Sequence, residues 1–160
     1  MTPDVAVRRA GADDAEELVR LRLVMMESVD GTAPPPGDWS RNAAASLRRR
    51  LPLPDAPIAA FVVDRPSPPG LVACAVGVFE ERLASPVNPN GLAGYVFNVA
   101  TDPQYRRRGY STACMRALLA WFAAHDVAVV NLRASDDGLP VYERLGFELQ
   151  PGPAMRLRLG

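Results

Sequence analysis

The chain has 160 residues, of which 48% are hydrophobic and 22% charged, and its 18 basic residues balance its 18 acidic residues. This length and composition predict one globular domain, residues 1–160, and the zero net charge excludes a whole-molecule field that would attract nucleic acid or an anionic membrane. His125 is the single histidine, which excludes a multi-histidine metal centre, and no GxGxxG or GxxxxGKS/T motif is present. We therefore expect no metal site and neither a nucleic-acid nor a membrane partner.

The cysteines and the N-terminal residues bear on the cellular compartment. Cys74 and Cys114 lie in apolar stretches and form no CxxC pattern, which indicates buried, reduced thiols. Residues 1–9 contain no apolar segment of signal-peptide length, and no apolar run approaches ~20 residues. We therefore expect a cytoplasmic protein. Its basic residues are all arginine, which is typical of a GC-rich bacterial genome and would also fit avoidance of a modifiable amine.

The first part of the chain predicts a strand followed by two helices. Alternating valines indicate a short strand over Val5–Arg9. Acidic residues after Gly11 and apolar residues at helical spacing predict a helix that ends near Val29. Residues 31–37 contain three consecutive prolines and are predicted to form a loop, and a second helix follows from about residue 38 until the proline at position 52.

Strands dominate the middle of the sequence, and helices alternate with strands after it. The segments Ile58–Arg65, Leu71–Glu80 and Tyr95–Thr101 are rich in β-branched and apolar residues. The later elements are predicted to be a helix over Gly109–Ala124, a strand over Val127–Leu132, a helix over Leu139–Leu145, and strands over Phe147–Leu149 and Met155–Leu159. The resulting order is β-α-α-β-β-β-α-β-α-β-β, which predicts an α/β fold with a mixed central sheet flanked by helices.

The turn between Thr101 and the following helix has the features of an anion site. A strand stops at Pro103, a loop containing Arg106–Arg108 follows, and a long helix begins after Gly109. Unpaired backbone N–H groups and the positive end of the helix dipole favour an anion there, and a glycine allows it to approach the backbone. Arginine side chains pair well with phosphate. The same sequence also fits a solvated basic turn that binds nothing.

Two motifs together resemble the GCN5-related N-acetyltransferase (GNAT) family. The first reads Arg106-Arg-Arg-Gly109-Tyr-Ser111 at the head of the helix, and the second reads Tyr142-Glu-Arg-Leu-Gly146-Phe147. Ser111 stands where the family has glycine or alanine. The order of elements from Val5 to Leu159 is similar to the family fold, so the resemblance covers nearly the whole chain.

The resemblance implies acetyl-CoA as co-substrate, bound where the strands Tyr95–Thr101 and Val127–Arg133 separate. It implies cofactor contacts at Val99, Ala100, Thr101, Arg106, Arg107, Arg108, Gly109, Tyr110, Ser111, Thr112 and Ser135. Ser135 stands where many members have an asparagine. The family's tyrosine corresponds to Tyr142, which would act as the general acid that protonates the leaving thiolate.

The resemblance also implies an amine acceptor, whose identity the sequence does not determine. Acceptor contacts are expected in the region Val24–Trp39 and the loop Leu83–Gly91, with Met25, Met26 and Trp39 as a candidate apolar wall. No acidic cluster in these regions indicates a polycationic acceptor, and Glu27, Asp30 and Asp38 are only a weak indication of a cationic one. A small-molecule amine is therefore favoured over a protein lysine or N-terminus. Candidates for the general base are Glu80, Glu81 and Asp102, and Asn98 is a candidate acceptor contact or a loop anchor. The sequence does not determine the oligomeric state, and a homodimer is suggested only by analogy with relatives.

Two other functions remain open from the sequence. A non-catalytic sensor or interaction module would bind acetyl-CoA without transferring its acetyl group, although the intact tyrosine motif speaks against it. A nucleic-acid binder could use the arginine runs at 48–50 and 106–108. The neutral net charge and the lack of interleaved aromatic residues disfavour this second alternative.

Overall fold

The computed structural model describes residues 5–67 and 69–160. The strands are β1 (Arg8–Arg9), β2 (Ile58–Asp64), β3 (Leu71–Glu81), β4 (Leu92–Thr101) and β5 (Val129–Leu132). The helices are α1 (Ala15–Asp30), α2 (Asp38–Arg50), α3 (Tyr110–Ala124) and α4 (Leu139–Arg144), with short 3-10 turns at Ala12–Asp14 and Pro103–Tyr105. None of the helices in the described segments is long and apolar enough to cross a membrane.

The strands form a five-stranded mixed sheet in the order β1-β2-β3-β4-β5. The pairs from β1 to β4 are antiparallel, whereas β4 and β5 are parallel. Leu18 and Leu21 of α1 pack on one face of the sheet, and Met115 and Leu118 of α3 pack on the other. The predicted α/β fold with a mixed sheet between helices is therefore confirmed.

A β-bulge in β4 lies where this strand separates from β5. Val76 of β3 lies opposite Asn98, but the next residue, Gly77, lies opposite Val96, so Phe97 is the extra residue of β4. The pairing of β4 with β5 ends at Val96, so the last residues of β4 have no neighbouring strand on the β5 side among those described. A bulge bends a strand and increases its twist, which explains why β4 and β5 separate from this point.

The ring of Phe122 on α3 fills the space over two glycines of the sheet. An ideal Cβ on Gly94 of β4 would lie 2.7 Å from Phe122 Cε1, and one on Gly77 of β3 would lie 2.7 Å from Cζ. Phe122 is itself buried, with 1% of its surface exposed. The ring cannot move outward, and the helix can approach the sheet closely only because these positions lack a side chain.

We expect Gly94→Ala to lower the free energy of unfolding by about 2–3 kcal/mol, since the added methyl group overpacks a filled core. Urea denaturation measures the loss. Phe122→Leu in the same chain should recover part of it, which a double-mutant cycle detects as a coupling between the two positions. Gly11→Ala is the control, because a Cβ there contacts nothing within 4 Å. A Gly94→Ala variant as stable as the Gly11→Ala variant would contradict the close packing of α3 on β4.

The structure corrects the predicted strands at both ends of the chain. β1 covers only Arg8–Arg9, and residues 5–7 precede it without strand pairing. The predicted strands Phe147–Leu149 and Met155–Leu159 are absent. Alternation of apolar and polar residues is insufficient when no strand pairs with the segment and neither face is covered. Met155, Leu157 and Leu159 are 92%, 82% and 87% exposed.

The predicted burial of the two cysteines is confirmed, and His125 lies at the end of a helix. Cys74 and Cys114 are both free and buried. Burial raises the pKa of the Cys74 thiol to about 12, so it stays protonated and unreactive. His125 follows the last turn of α3, and its Nδ1 lies 2.9 Å from the carbonyl oxygen of Trp121. These residues are therefore structural.

Candidate active site

A cleft of about 710 Å³ opens where β4 and β5 separate. Its volume lies within the range typical of small-molecule sites. The cleft is lined by Val24, Met25, Ser28, Val99, Ala100, Thr101, Tyr105, Arg106, Arg107, Gly109, Tyr110, Ser111, Thr112, Ser135, Asp137, Gly138, Val141, Tyr142 and Arg144. The structure thus brings together residues from α1, the end of β4, the loop before α3, and α4.

The loop before α3 has the backbone shape of an anion cradle. Arg107 has φ +64° and Gly109 has φ +80°, so two residues of this short loop are left-handed. Such residues turn neighbouring N–H groups toward a common concavity, and the N–H groups of the first turn of α3 have no carbonyl four residues back. An ideal Cβ on Gly109 meets no atom within 4 Å, so the space in front of this backbone is open to a bulky anion.

Two of the three arginines of this loop line the cleft, and the third contacts an aromatic ring. Arg106 and Arg107 line the cleft, whereas Arg108 is not among its lining residues. The Arg108 guanidinium carbon instead lies 5.5 Å from the centroid of the Tyr105 ring, a cation–π contact. The structure therefore gathers every residue that was expected to bind the cofactor except Arg108.

Two sets of hydrogen bonds fix the loop relative to the sheet. Thr101 at the end of β4 and Ser111 in the first turn of α3 share a short hydroxyl–hydroxyl hydrogen bond. Asp102 Oδ1 accepts from the N–H of Gln104 at 3.1 Å, and its Oδ2 accepts from Arg20 of α1 at 3.0 Å. The loop before α3 is thus anchored to both β4 and α1.

Glu17 completes the second of these sets. It accepts hydrogen bonds from Arg20 Nε at 2.6 Å and from the N–H of Leu71 at 2.8 Å. Burial alone would raise the pKa of Glu17, but these hydrogen bonds outweigh it and lower the pKa. The carboxylate therefore remains charged and holds α1 to the start of β3.

Helix α4 forms the opposite wall of the cleft. Ser135 Oγ accepts from the N–H of Gly138 at 3.1 Å, so this hydroxyl closes the turn before α4. Tyr142 is half-buried, and its ring packs edge-on against Phe147 with 6.0 Å between centroids. Burial raises the pKa of the Tyr142 phenol, which keeps it protonated near neutral pH. Tyr142 therefore places a protonated phenol in the wall of the cleft.

The carboxylates considered as bases lie outside the cleft. Glu80 and Glu81 are at the exposed end of β3, and Glu80 accepts from Arg82 Nε at 2.8 Å. Asp102 is held by Arg20, as described above, and is not among the lining residues. Asp137 does line the cleft, and nothing in the sequence singled it out, because no motif marks the turn before α4.

Only some of the residues expected to contact the acceptor line the cleft. Met25 lines the cleft, whereas Trp39 donates from Nε1 to the Pro35 carbonyl at 3.0 Å and stabilises the loop before α2. Asn98 is 3% exposed, and its Nδ2 donates to the Leu18 carbonyl at 3.3 Å. The Asn98 side chain therefore joins β4 to α1 rather than to a loop, and it is not among the lining residues of the cleft.

The sequence and the fold are similar to those of known acetyltransferases. Residues 33–147 match the model of the acetyltransferase (GNAT) family. A GCN5-related N-acetyltransferase from Ralstonia eutropha is 25% identical, with a TM-score of 0.74 over 95% of this chain and 97% of that one. A Trypanosoma brucei acetyltransferase is 26% identical, with a TM-score of 0.70 over 98% of this chain and 100% of that one.

A third similar structure contains acetyl-CoA. A protein of Clostridium acetobutylicum, described as a predicted acetyltransferase and crystallised with acetyl-CoA, has a TM-score of 0.80 and 22% identity, covering 96% of this chain and 95% of that chain. No curated protein sequence matches significantly. The family model covers more than half of the chain and includes both motifs, Arg106–Ser111 and Tyr142–Phe147. The chain therefore belongs to the GNAT family of acetyltransferases.

Proposed function

We propose that this protein transfers the acetyl group of acetyl-CoA to a primary amine of a small molecule, by direct attack within a ternary complex. The observation that carries the proposal is the composition of the cleft. One continuous cavity joins the loop at Gly109, the end of β4 beyond its pairing with β5, and the protonated phenol of Tyr142. These three features match the parts of acetyl-CoA: an anion site for its pyrophosphate, a strand edge for its pantetheine amides, and a proton donor for its departing sulfur.

The residues of the cleft fit acetyl-CoA as co-substrate. The open space at Gly109 would receive the pyrophosphate, which the N–H groups of residues 107–112 and the guanidinium groups of Arg106 and Arg107 would bind. Backbone groups of Val99–Thr101 would pair with the pantetheine amides, since β5 no longer pairs there. Acetyl-CoA supplies an activated acyl group held as a thioester.

The chain's own groups would act on the charges that develop during transfer. A backbone N–H at the bulged part of β4, near Val99, would donate to the acetyl oxygen. The Tyr142 hydroxyl would donate its proton to the departing sulfur. The acceptor must lose a proton to attack, and because Glu80, Glu81 and Asp102 lie outside the cleft lining, we propose that water carries this proton away.

The test combines a binding measurement with an activity measurement on the same sample. Calorimetric titration with acetyl-CoA is followed by an assay of thiol release against a panel of small amines and lysine-containing peptides. Binding together with release for a small amine supports the proposal. Release for peptides alone makes the protein a protein acetyltransferase, and binding without release for any acceptor supports the sensor instead. No binding of acetyl-CoA contradicts the proposal entirely.

A further inference from the structure

We propose that Arg22 selects acceptor amines that carry an anionic group, a carboxylate or a phosphate, beside the amine. This inference rests on the proposed acetyl transfer and names the substrate class of the same site. The sequence offered no indication of an anionic acceptor, because an arginine within a helix is ordinarily a solvated surface residue.

Arg22 lies on α1, is half-buried, and lacks a carboxylate partner among the described residues. Its Nη1 makes one long hydrogen bond, 3.4 Å, to the carbonyl of Phe97, and its guanidinium carbon lies 5.9 Å from the centroid of the Phe97 ring. Burial lowers the pKa of Arg22, and no neighbouring charge offsets this effect. Even so, an arginine side chain stays charged in proteins.

Arg20, two residues earlier on the same helix, differs from Arg22 because it has carboxylate partners. It pairs with Glu17 at 2.6 Å and with Asp102 at 3.0 Å, and it also donates to the Leu71 carbonyl at 2.8 Å. Arg22 has most of its five N–H donors unused by the described protein groups. A partly desolvated cation without a counter-ion is costly, and a bound anion would relieve that cost.

Arg22 lies beside the acyl end of the cleft, next to its wall rather than among its lining residues. Its partner Phe97 is the bulge residue, one position beyond the last residue of β4 that pairs with β5. The phosphate end of the cleft begins beyond Thr101, four residues along the strand, or about 13 Å away at ~3.3 Å per residue. The next turn of α1 contributes Met25 to the cleft wall. An amine attacking the acetyl group would approach from the side where Arg22 lies.

The chemistry of the guanidinium defines the acceptor class. Its planar fork matches a carboxylate or a phosphate with two parallel hydrogen bonds, and such charge-assisted pairs are stronger where water is partly excluded. The same positive charge would repel a second ammonium group on a polyamine. The acceptor class is therefore an amine with a neighbouring carboxylate, such as an amino acid, or with a phosphate, such as an amino-sugar phosphate.

The first test compares acceptors that differ only in the anionic group. L-phenylalanine is paired with 2-phenylethylamine, and glucosamine 6-phosphate with glucosamine. We expect the wild-type kcat/KM to favour the anionic member of at least one pair by about tenfold or more, and Arg22→Gln to remove most of this preference with the KM for acetyl-CoA unchanged. The pair that responds tells whether the anion is a carboxylate or a phosphate. Arg49→Gln, a change at an exposed arginine of α2, should keep the wild-type preference.

A second test does not require the true acceptor. With CoA at saturation filling the phosphate loop, the protein is titrated calorimetrically with benzoate and with inorganic phosphate. We expect Arg22→Gln to weaken binding of at least one anion by about tenfold, and Arg49→Gln to leave it unchanged. Equal anion binding by the wild type and Arg22→Gln overturns the inference, as does a wild-type preference for the neutral amine in both pairs.

The two proposals fail in different ways. A protein that binds no CoA contradicts the proposed acetyl transfer, and the anion titration without CoA then still compares Arg22→Gln with the wild type. A protein that binds CoA and acetylates amines with no dependence on Arg22 contradicts this inference alone.

Discussion

Replacing Tyr142 with phenylalanine is expected to lower kcat by more than about tenfold while the Kd for acetyl-CoA stays unchanged. The substitution removes one oxygen atom. It retains the aromatic ring that packs edge-on against Phe147, so the wall of the cleft keeps its shape. A loss confined to kcat would therefore report on the proton that the hydroxyl supplies. Steady-state kinetics and calorimetric titration of the same preparations measure the two quantities.

The protonation state of Tyr142 predicts how this activity depends on pH. Burial raises the pKa of the phenol above its ordinary value near 10, so the proton donor is present at all lower pH values. Loss of this proton can therefore lower the rate only on the alkaline side, above about pH 10. A tyrosine that limits the rate by deprotonating near pH 7 or 8 would contradict the burial that the structure shows.

Tyr95→Phe is the matched control for this substitution. Tyr95 lies on β4 opposite Asn131 of β5, outside the cleft lining, and is 39% exposed. Removing its hydroxyl should change neither kcat nor Kd. Wild-type kcat in Tyr142→Phe would show that Tyr142 only packs the wall, and a water molecule would then have to protonate the departing sulfur.

Much of the fold could be predicted because its elements follow local rules. Apolar residues recur at helical spacing in α1 and α3, and prolines and glycines mark the ends of most segments. The terminal strands were predicted from local sequence alone, as β2 was. They are absent because a strand is stabilised by its pairing partner, and the residues after Phe147 lack one in the described structure. Pairing depends on distant parts of the chain, which local patterns do not encode.

The candidate site could likewise be predicted from the sequence only where its residues are adjacent in the chain. The loop at Gly109 could be found because it is one continuous segment whose glycine and arginines are adjacent in sequence. The bulge at Phe97 has no sequence signal, since it arises from the register between β3 and β4. Arg22 becomes informative only once it is known that α1 places it beside this bulge and that no carboxylate among the described residues pairs with it. A site built from the contacts of separate elements is visible only in three dimensions.

Gly109→Ala is expected to weaken acetyl-CoA binding by about tenfold or more, which corresponds to about 1.4 kcal/mol. The residue has φ +80°, a conformation that an alanine adopts only with strain, and its Cβ would project into the space proposed for the pyrophosphate. Strain alone would destabilise the fold without a specific effect on binding. The two consequences must therefore be separated.

Gly146→Ala separates backbone strain from obstruction of the ligand. Gly146 has φ +97°, and a Cβ there also meets no atom within 4 Å. Unlike Gly109, however, Gly146 is not a lining residue of the cleft. Both variants should lose about 1 kcal/mol of unfolding free energy from backbone strain, whereas only Gly109→Ala should bind acetyl-CoA more weakly. S-acetylpantetheine, which has the thioester but no pyrophosphate, should have the same KM with Gly109→Ala as with the wild type. Equal weakening of both ligands would mean that the substitution disturbs the whole cleft, and unchanged binding of acetyl-CoA would place the pyrophosphate away from this loop.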